Sequence, residues 1–479
     1  MSLSFSDLVK EKGREAKYPE LPIVCVQGLG FVGSAMAIAV AKAIDENGKP
    51  LFNVAGVDLE NELGKERVSK INSGYFPFEV VDNSLKESLS SSVEQGNLIA
   101  TTNPDIYSKA SIVVVDVPLD IKLEEGKGSV PWGGFRAAIR TLGERVSPGT
   151  LILVETTVPP GTCEKVVKPE LVSALEKRGI DPSEVLLAHS YERVMPGPEY
   201  LDSVVNFWRV FSGETVEAAD RCEEFLSKVV NVEEFPLTRL SSMRASETAK
   251  VLENSYRAVN IAFIEEWGRF AEGIDVDLFS VINAVRYRPT HNNIRQPGFG
   301  VGGYCLTKDP LFAEFAAKEL FENDALEFPF CRQAVDTNNK MPLVSLNYLE
   351  SFLGGDLKGK KILLCGVSYR SGVEDTRYSP SEIFVREANK KGAKVEFHDP
   401  LVRHWDELDA EVLSDMPRDT EFDAVVFAVP HEDYLDLSNC KWSVENKPLI
   451  FDANNVLSSE QEALFIDGGH VFKKIGKGM

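Results

Sequence analysis

Short continuous runs of hydrophobic residues alternate with helical patterns along the first part of the chain. Unbroken apolar strands separated by helices are typical of a parallel sheet that is covered on both faces. Such sheets bind ligands beyond the carboxyl ends of their strands. The predicted strands cover residues 23–26, 53–57, 112–117, 151–155, 185–188 and 209–211, and an alanine-rich helix covers residues 34–44.

From residue 214 the pattern becomes helical, and one predicted helix carries two separate stripes. A polar stripe is usually a solvated face, but Asn254 is a poor helix former, so its presence also fits a working surface. The sequence favours neither interpretation. The apolar stripe contains Leu252, Tyr256, Val259 and Phe263, and the polar stripe contains Glu247, Lys250, Asn254 and Arg257.

A flexible glycine-rich break at residues 354–360 precedes a second alternating pattern. Its first strand is followed by Gly366 alone, where a dinucleotide fingerprint needs three glycines, so this part is expected not to bind a dinucleotide. The fold class is therefore α/β, with two Rossmann-like doubly wound parallel-sheet domains joined by a central helical domain. The predicted domains are 1–213, 214–353 and 354–479.

A glycine fingerprint lies between the first strand and the first helix, as Gly28-Leu29-Gly30-Phe31-Val32-Gly33. That context predicts a dinucleotide site. Asp58 ends the second strand, where a carboxylate can accept hydrogen bonds from the ribose and favours NAD over NADP. The polar insertion at residues 45–50 explains why Asp58 comes later than the usual ~20 residues after the glycines. The alternative is an aspartate that merely caps a turn.

In the stretch from Gly298 to Asp309, four glycines occur within six residues, and a single cysteine, Cys305, follows them. Asp309 is predicted to be the N-cap of the following helix. A helix start and the nearby Lys308 both favour thiolate over thiol, the state that a nucleophile requires. The alternative is a buried cysteine in a glycine-rich turn. Because the glycines, Lys308 and the predicted helix start all lie next to Cys305, we favour the interpretation that Cys305 is a nucleophile.

Composition narrows the class of protein. The net charge of −22 argues against nucleic acid or an anionic membrane as the main partner. Seven scattered cysteines without a C-x-x-C pair fit a reducing compartment, and they argue against a zinc site or a disulfide framework. The amino-terminal residues do not resemble a signal peptide, and no apolar run approaches the ~20 residues that a membrane span needs. We therefore expect a cytoplasmic protein without a metal.

Six motifs in order give the chain, along nearly its whole length, a resemblance to the UDP-glucose/GDP-mannose dehydrogenases. Within that family, Glu192-Arg193-Val194-Met195-Pro196-Gly197 is similar to the branch that oxidises UDP-N-acetylhexosamines, because the UDP-glucose branch tends to carry a glutamate where Pro196 stands. UDP-glucose or GDP-mannose remains the alternative substrate. The motifs are Gly28-x-Gly30-x-x-Gly33, Thr157-Val158-Pro159-x-Gly161-Thr162, Glu192-Arg193, Glu247-x-x-Lys250-x-x-x-Asn254, Gly302-Gly303-x-Cys305-x-x-Lys308-Asp309 and Asp375-Thr376-Arg377-x-Ser379-Pro380.

The resemblance implies an NAD-dependent twofold oxidation of the sugar's C6 alcohol to a uronic acid, for polysaccharide or glycan precursor synthesis. Cys305 would form a thiohemiacetal and then a thioester, which keeps a reactive aldehyde bound between the two oxidations. It also implies a homodimer through the central helical domain. The implied catalytic roles are oxyanion stabilisation by Lys250, oxygen or water contact by Asn254, proton transfer by Asp309, base catalysis by Glu192 and water ordering by Thr157.

The resemblance also implies two sets of binding residues. Arg370 stands where the family usually has lysine, and either cation can meet a phosphate. The cofactor set is Gly28, Gly30, Phe31, Val32, Gly33, Asp58, Val117, Thr157 and Arg377. The nucleotide-sugar set is Glu192, Arg193, Val194, Lys250, Asn254, Arg257, His291, Gly302, Tyr369 and Arg370.

Four positions depart from the family pattern, and they bear on the sugar rather than on the reaction. Residues 117–120 read Val-Pro-Leu-Asp instead of Val-Pro-Thr-Pro, Tyr191 replaces a proline, residues 452–455 lack an arginine, and His291 stands where a partner subunit usually lends an arginine. A single-oxidation relative of the hydroxyacid or 6-phosphogluconate type would have no need of Cys305 or of the C-terminal domain. A non-catalytic NAD-sensing scaffold would tolerate loss of the reactive groups, all of which are present.

Overall fold

The computed structural model describes residues 3–124, 127–417, 421–437 and 447–478. The chain divides into two compact units. Unit 1 contains Met1–Leu252 and Phe312–Glu327, and unit 2 contains Glu253–Leu311 and Phe328–Met479. The boundary predicted at residue 213 lies inside unit 1, and the division into three domains stays a prediction.

The described α-helices are α1 (Phe5–Glu11), α2 (Phe31–Lys42), α3 (Glu62–Asn72), α4 (Asn83–Gln95), α5 (Trp132–Gly143), α6 (Lys168–Lys177), α7 (Tyr200–Val205), α8 (Val216–Val229), α9 (Met243–Gly273), α10 (Leu278–Arg286), α11 (Tyr304–Lys308), α12 (Phe312–Phe315), α13 (Pro329–Phe352), α14 (Pro380–Lys390) and α15 (Ser459–Asp467). The strands are β1 (Ile23–Gln27), β2 (Asn53–Val57), β3 (Leu98–Thr101), β4 (Ala110–Val115), β5 (Lys122–Glu124), β6 (Lys127–Ser129), β7 (Leu151–Val154), β8 (Leu186–Tyr191), β9 (Val210–Gly213), β10 (Thr238–Arg239), β11 (Lys361–Cys365), β12 (Lys394–His398), β13 (His404–Trp405), β14 (Ala410–Glu411), β15 (Ala424–Phe427), β16 (Leu449–Asp452) and β17 (Phe472–Lys474).

Unit 1 is built on one sheet with the strand order β10-β9-β8-β7-β4-β1-β2-β3. From β3 to β8 every neighbouring pair is parallel, as the apolar strands predict. This part has the strand order of a dinucleotide-binding sheet. Helix α2 lies against it and is buried from Gly33 to Ala41.

Strand β9 corrects the expectation that all predicted strands of this sheet are parallel, because it runs antiparallel to β8. The end of β8 at Tyr191 pairs with the start of β9 at Val210. The connecting segment 192–209 therefore begins and ends at the same edge of the sheet and makes no crossover. This keeps the Glu192-Arg193 motif at the carboxyl edge.

Unit 2 contains a five-stranded parallel sheet with the order β12-β11-β15-β16-β17. When these five strands are numbered in the order in which they occur in the chain, their spatial order is 2-1-3-4-5, the second common doubly wound arrangement. The strand order reverses between β11 and β15, which is therefore the switch point. The predicted second doubly wound sheet is confirmed. Helix α14 packs against α13, and Leu346 and Leu349 of α13 belong to the core of this sheet.

In α9, polar side chains are buried and large apolar side chains are exposed, which is the reverse of an ordinary amphipathic helix. Glu247, Lys250 and Asn254 are buried, with exposed fractions of 1%, 6% and 1%. Tyr256 and Phe263 of the apolar stripe are 52% and 49% exposed. The polar stripe is therefore not a solvated face, and its role as a working surface stays a prediction.

Among the residues that the structure describes, none of the helices combines the length and the apolar character needed to span a lipid bilayer.

Candidate active site

The fingerprint glycines form the tight turn between β1 and α2. Gly28 has φ +93°, and a Cβ atom at Gly33 would lie 1.9 Å from the carbonyl oxygen of Gly28. Helix α2 begins after Gly30, which has no side chain to cover the helix N-terminus. Free amides at a helix N-terminus, and a backbone close enough to exclude side chains, are the features that a pyrophosphate site needs. This turn therefore has the backbone arrangement that a pyrophosphate requires, and the assignment of Phe31 and Val32 to the cofactor stays a prediction.

Asp58 follows β2 and has several hydrogen-bond donors. Its Oδ2 accepts from the Leu29 amide and from Arg67 Nη1, both at 3.2 Å. Its Oδ1 accepts from the Leu59 amide at 2.7 Å, which is the turn-capping contact of the alternative interpretation. Arg67 was missed from sequence because only its place on α3 brings it to Asp58.

A buried cluster of charged groups lies where β4 and β7 end. Arg209 donates to the Glu155 carboxylate, and the side chains of both residues are almost fully buried. Burial raises the pKa of Asp116 well above its usual value, and the neighbouring Glu155 raises it further. Burial likewise raises the pKa of Glu155, although the pairing with Arg209 opposes that rise, so both neighbouring carboxyl groups are harder to ionise than free ones. Sequence reasoning gave these three residues no role.

The turn after β7 carries Thr157, which is half-buried. Thr156 Oγ1 donates to the carbonyl oxygens of Val115 and Val117, at 3.1 and 2.9 Å. The predicted cofactor contact Val117 is thereby joined to the threonine turn. This places two predicted cofactor residues on one hydrogen-bonded element of unit 1.

Glu192 and Lys250 form a buried pair in unit 1, with exposed fractions of 8% and 6%. Lys250 Nζ donates to the Glu192 carbonyl oxygen at 2.7 Å and lies 3.7 Å from Glu192 Oε1. The ammonium also lies 5.3 Å from the centre of the Tyr191 ring. The residue that departs from the family proline thus supplies a cation–π contact to Lys250.

Three neighbouring residues, His189, Val194 and Arg193, complete this part of the site. Burial first, and then Lys250, lower the pKa of His189 to about 3, so this imidazole is neutral at physiological pH. Glu192 Oε2 accepts from the Val194 amide. Arg193 donates to the carbonyl oxygen of Trp208 at 2.8 Å, which braces the loop that carries it.

Cys305 is exposed and lies on the short helix α11. Gly303, at φ +75°, delivers the chain to it in a conformation that favours glycine. The predicted N-cap role of Asp309 is wrong, because the helix begins at Tyr304 and Asp309 follows its end. Asp309 instead accepts from Asn254 Nδ2 and from Lys308 Nζ, each at 2.8 Å. Asn254 and Asp309 are both 1% exposed, so unit 2 holds a buried amide, carboxylate and ammonium.

Arg377 and Tyr369 lie near the glycines that precede Cys305. Arg377 binds the Asp375 carboxylate through Nε and Nη2, at 2.7 and 2.5 Å, and stacks 4.5 Å from the centre of the Tyr304 ring. Burial opposes its charge, but the hydrogen bonds to Asp375 raise the pKa of Arg377. A Cβ at Gly303 would lie 2.9 Å from the Tyr369 ring. Gly302 is equally close to this residue, because a Cβ there would lie 2.7 Å from Tyr369 Cβ.

The remaining predicted contacts are more open. Arg370 and His291 are exposed, and His291 Nδ1 lies 2.8 Å from Thr290 Oγ1. Arg257 is half-buried. Asn454, in the segment that lacks the family arginine, bridges Ala428 O at 2.8 Å and the Phe299 amide at 3.3 Å. Within the described residues, no three His, Cys, Asp or Glu side chains are grouped so as to hold a metal ion.

Three domain models of the UDP-glucose/GDP-mannose dehydrogenase family match the chain. The NAD binding domain matches residues 23–230, the central domain residues 244–340 and the UDP binding domain residues 363–459. The chain is 28% identical over 446 residues to a UDP-N-acetyl-D-mannosamine dehydrogenase of Methanocaldococcus jannaschii, covering 91% of this chain and 93% of that protein.

Two solved structures have the same fold. The UDP-D-ManNAc dehydrogenase of Pyrococcus horikoshii has a TM-score of 0.76 and 26% identity, covering 95% of this chain and 99% of that one. An NDP-N-acetyl-D-galactosaminuronic acid dehydrogenase of Methanosarcina mazei has a TM-score of 0.75 and 27% identity, covering 99% and 98%.

Proposed function

This chain belongs to the UDP-glucose/GDP-mannose dehydrogenase family and is an NAD-dependent nucleotide-sugar dehydrogenase, and we propose that it oxidises a UDP-N-acetylhexosamine twice at C6. The proposed twofold reaction rests on one observation. Cys305 is exposed on a short helix that follows a glycine-rich segment, and the buried Asp309 comes four residues later. A single oxidation would not require this thiol.

NAD, when bound at the fingerprint glycines, accepts a hydride in each oxidation. In the proposed reaction the thiolate of Cys305 adds to the aldehyde carbon made by the first oxidation, and a C–S bond forms as the carbonyl oxygen becomes an alkoxide. Loss of hydride from that carbon leaves a thioester. Water then cleaves the C–S bond, releasing the carboxylate and restoring the thiol. The overall change consumes one alcohol, one water and two NAD⁺, and it releases one carboxylate, two NADH and three protons.

The other groups are assigned roles that match their chemistry. Lys250, a buried cation, is proposed to stabilise the oxyanion, and Glu192 to act as base in thioester hydrolysis. Asn254 and Asp309, hydrogen-bonded to each other, are proposed to orient the oxygen and to transfer its proton. Thr157 is proposed to order the water. Arg377 and Arg370 are proposed to contact phosphates of the two nucleotides.

The acetamido sugar is supported by one sequence feature and by the relatives. Pro196 stands where a second glutamate is typical of UDP-glucose enzymes, and a proline cannot supply that carboxylate. The relatives described above are named for N-acetylmannosamine and for N-acetylgalactosaminuronic acid, two sugars of different configuration. We propose the class and not the epimer, and we propose that the uronic acid product serves polysaccharide or glycan synthesis.

A substrate panel tests this function. The purified protein is given UDP-N-acetyl-glucosamine, -mannosamine, -galactosamine, UDP-glucose and GDP-mannose at equal concentrations, and NADH and sugar acid are both measured. We expect the highest kcat/KM with one UDP-N-acetylhexosamine and two NADH for each sugar acid. A highest kcat/KM with UDP-glucose or GDP-mannose would reject the acetamido sugar. One NADH per sugar consumed, with aldehyde released, would reject the thioester route.

We further propose a homodimer through the exposed apolar stripe of α9. Large side chains recur along one side of this helix, and the surfaces of monomeric proteins rarely carry so continuous an apolar strip. Their ring contacts, 6.3 Å for Phe263–Trp267 and 5.7 Å for Trp267–Phe270, make the strip one surface. The stripe contains Leu252, Tyr256, Phe263, Trp267 and Phe270 of α9 and Ile274 directly after its end, each at least 47% exposed.

A charge placed in this stripe should separate the subunits. Trp267→Glu puts a carboxylate into the proposed apolar interface, where its desolvation opposes association. We expect analytical ultracentrifugation to find a dimer for the natural protein and a monomer for the variant. Leu464→Glu on α15, at a side chain that is 70% exposed, is the control and should remain a dimer. A Trp267→Glu variant with unchanged mass would contradict the proposed interface.

A further inference from the structure

Glu247 lies on α9 three residues before Lys250, and its side chain points away from solvent. Its carboxylate accepts two main-chain hydrogen bonds from the turn that follows β7. Oε2 accepts from the Gly161 amide at 2.5 Å, and Oε1 accepts from the Cys163 amide at 2.7 Å. One side chain thus accepts from two main-chain amides of a segment that is more than eighty residues away along the chain.

An aromatic ring also packs against this turn. A Cβ at Gly161 would lie 2.6 Å from the Phe321 ring, so the turn and the ring are in close contact. The Phe321 ring has Arg244 at 5.0 Å and Lys165 at 5.9 Å from its centre. Arg244 is also paired with Glu164. The turn is therefore contacted both by α9 and by the Phe312–Glu327 segment.

A carboxylate is a costly group to place here. Burial is the main cause that raises the pKa of Glu247, to about 7, while the hydrogen bonds from the Cys163 and Gly161 amides oppose that rise. A well-packed apolar side chain would fill the same space without this desolvation. Only a carboxylate, however, presents two acceptor oxygens to two amides at once. The arrangement favours fixed geometry over stability.

We propose that Glu247 is a positioning residue for the oxidation, which holds the Thr157–Thr162 turn on α9 so that Thr157 keeps a fixed place relative to Lys250. This inference rests on the roles proposed above for Thr157 and Lys250. In the described part of the chain, the hydrogen bonds of Glu247 go to the turn, and its effect passes through the backbone from Gly161 to Thr157. Displacement of a reacting group by about 1 Å can cost on the order of 10²-fold in rate, so a loosened turn should lower kcat.

The test is Glu247→Gln, measured with the nucleotide sugar that the natural protein oxidises fastest. Glutamine has the same size but a single acceptor oxygen, so one of the two amides loses its partner. We expect kcat to fall by about 10- to 100-fold while the KM for the nucleotide sugar changes by less than about 3-fold, because the turn aligns the reaction rather than binding UDP. Glu176→Gln, the same change at an exposed carboxylate of α6, should match the natural protein.

A double-mutant cycle separates positioning from a general loss of stability. If Glu247 acts through Thr157, then Glu247→Gln should cost little further kcat in a Thr157→Ala background. Unchanged kcat in Glu247→Gln, or two losses that simply multiply in the double variant, would overturn the inference. If the panel identifies a different sugar, the proposed substrate fails while this experiment is run unchanged with that sugar.

Discussion

Replacing Cys305 by serine should reduce kcat for formation of the sugar acid by at least about 10³-fold, because a hydroxyl at neutral pH is a far weaker nucleophile than a thiolate. Binding of the nucleotide sugar should survive, since the substitution removes no cation and changes one atom. Stopped-flow measurement of NADH formation gives the rate, and isothermal titration calorimetry gives the dissociation constant. The expected result is a lost rate with an almost unchanged dissociation constant.

The matched control is Cys331→Ser on α13, at a half-buried cysteine to which the proposed reaction assigns no role. This variant should keep the kcat of the natural protein. A Cys305→Ser variant that retained most of its turnover would remove this residue from the mechanism. The family membership would then stand, but the thioester route would not.

Lys250→Met should lower kcat by about 10²- to 10³-fold, the range observed when one donor to a developing oxyanion is removed. Methionine keeps most of the apolar stem and removes the ammonium, so the loss reports charge rather than packing. The reason for a large effect is burial. At 6% exposure, the ammonium acts where water screens it poorly.

Thermal unfolding distinguishes this role from a structural one. Because Lys250 Nζ bonds the Glu192 carbonyl oxygen, its removal leaves a buried acceptor with one partner fewer, which costs about 1–3 kcal/mol. A modest drop in Tm is therefore expected, and the kcat loss should be present well below that temperature. Lys228→Met, at an exposed ion pair on α8, should change neither quantity appreciably. A Lys250→Met variant with nearly full kcat and a Tm lowered by many degrees would show that the lysine serves stability alone.

The sequence by itself determined the elements and the chemical groups. Continuous apolar runs identified the parallel strands because a strand buried on both faces has no polar positions to alternate with. Gly28, Gly30 and Gly33 indicated a dinucleotide turn through their spacing, and the structure has that turn between β1 and α2. Cys305 was identified as the candidate nucleophile from the residues that adjoin it in the sequence, which are the preceding glycines and Lys308.

Local details depended on contacts that lie further away. Asp309 follows the end of α11 and is held by Asn254, fifty-five residues earlier, instead of being the N-cap of a helix. Strand β9 reverses direction because its connection stays at one edge of the sheet. Neither fact has a signature in the residues nearby.

The tertiary structure alone decided which stripe of α9 is buried and which is exposed. Periodicity showed that α9 has a polar and an apolar stripe, but it carries no information about what covers each one. Packing buried Glu247, Lys250 and Asn254 and left Tyr256 and Phe263 exposed. The partners Arg67–Asp58, Arg209–Glu155 and Glu247–Gly161 were likewise invisible in the sequence. The physical reason is that residue identity and short-range spacing are properties of the chain, whereas burial and long-range pairing exist only once distant segments have packed together.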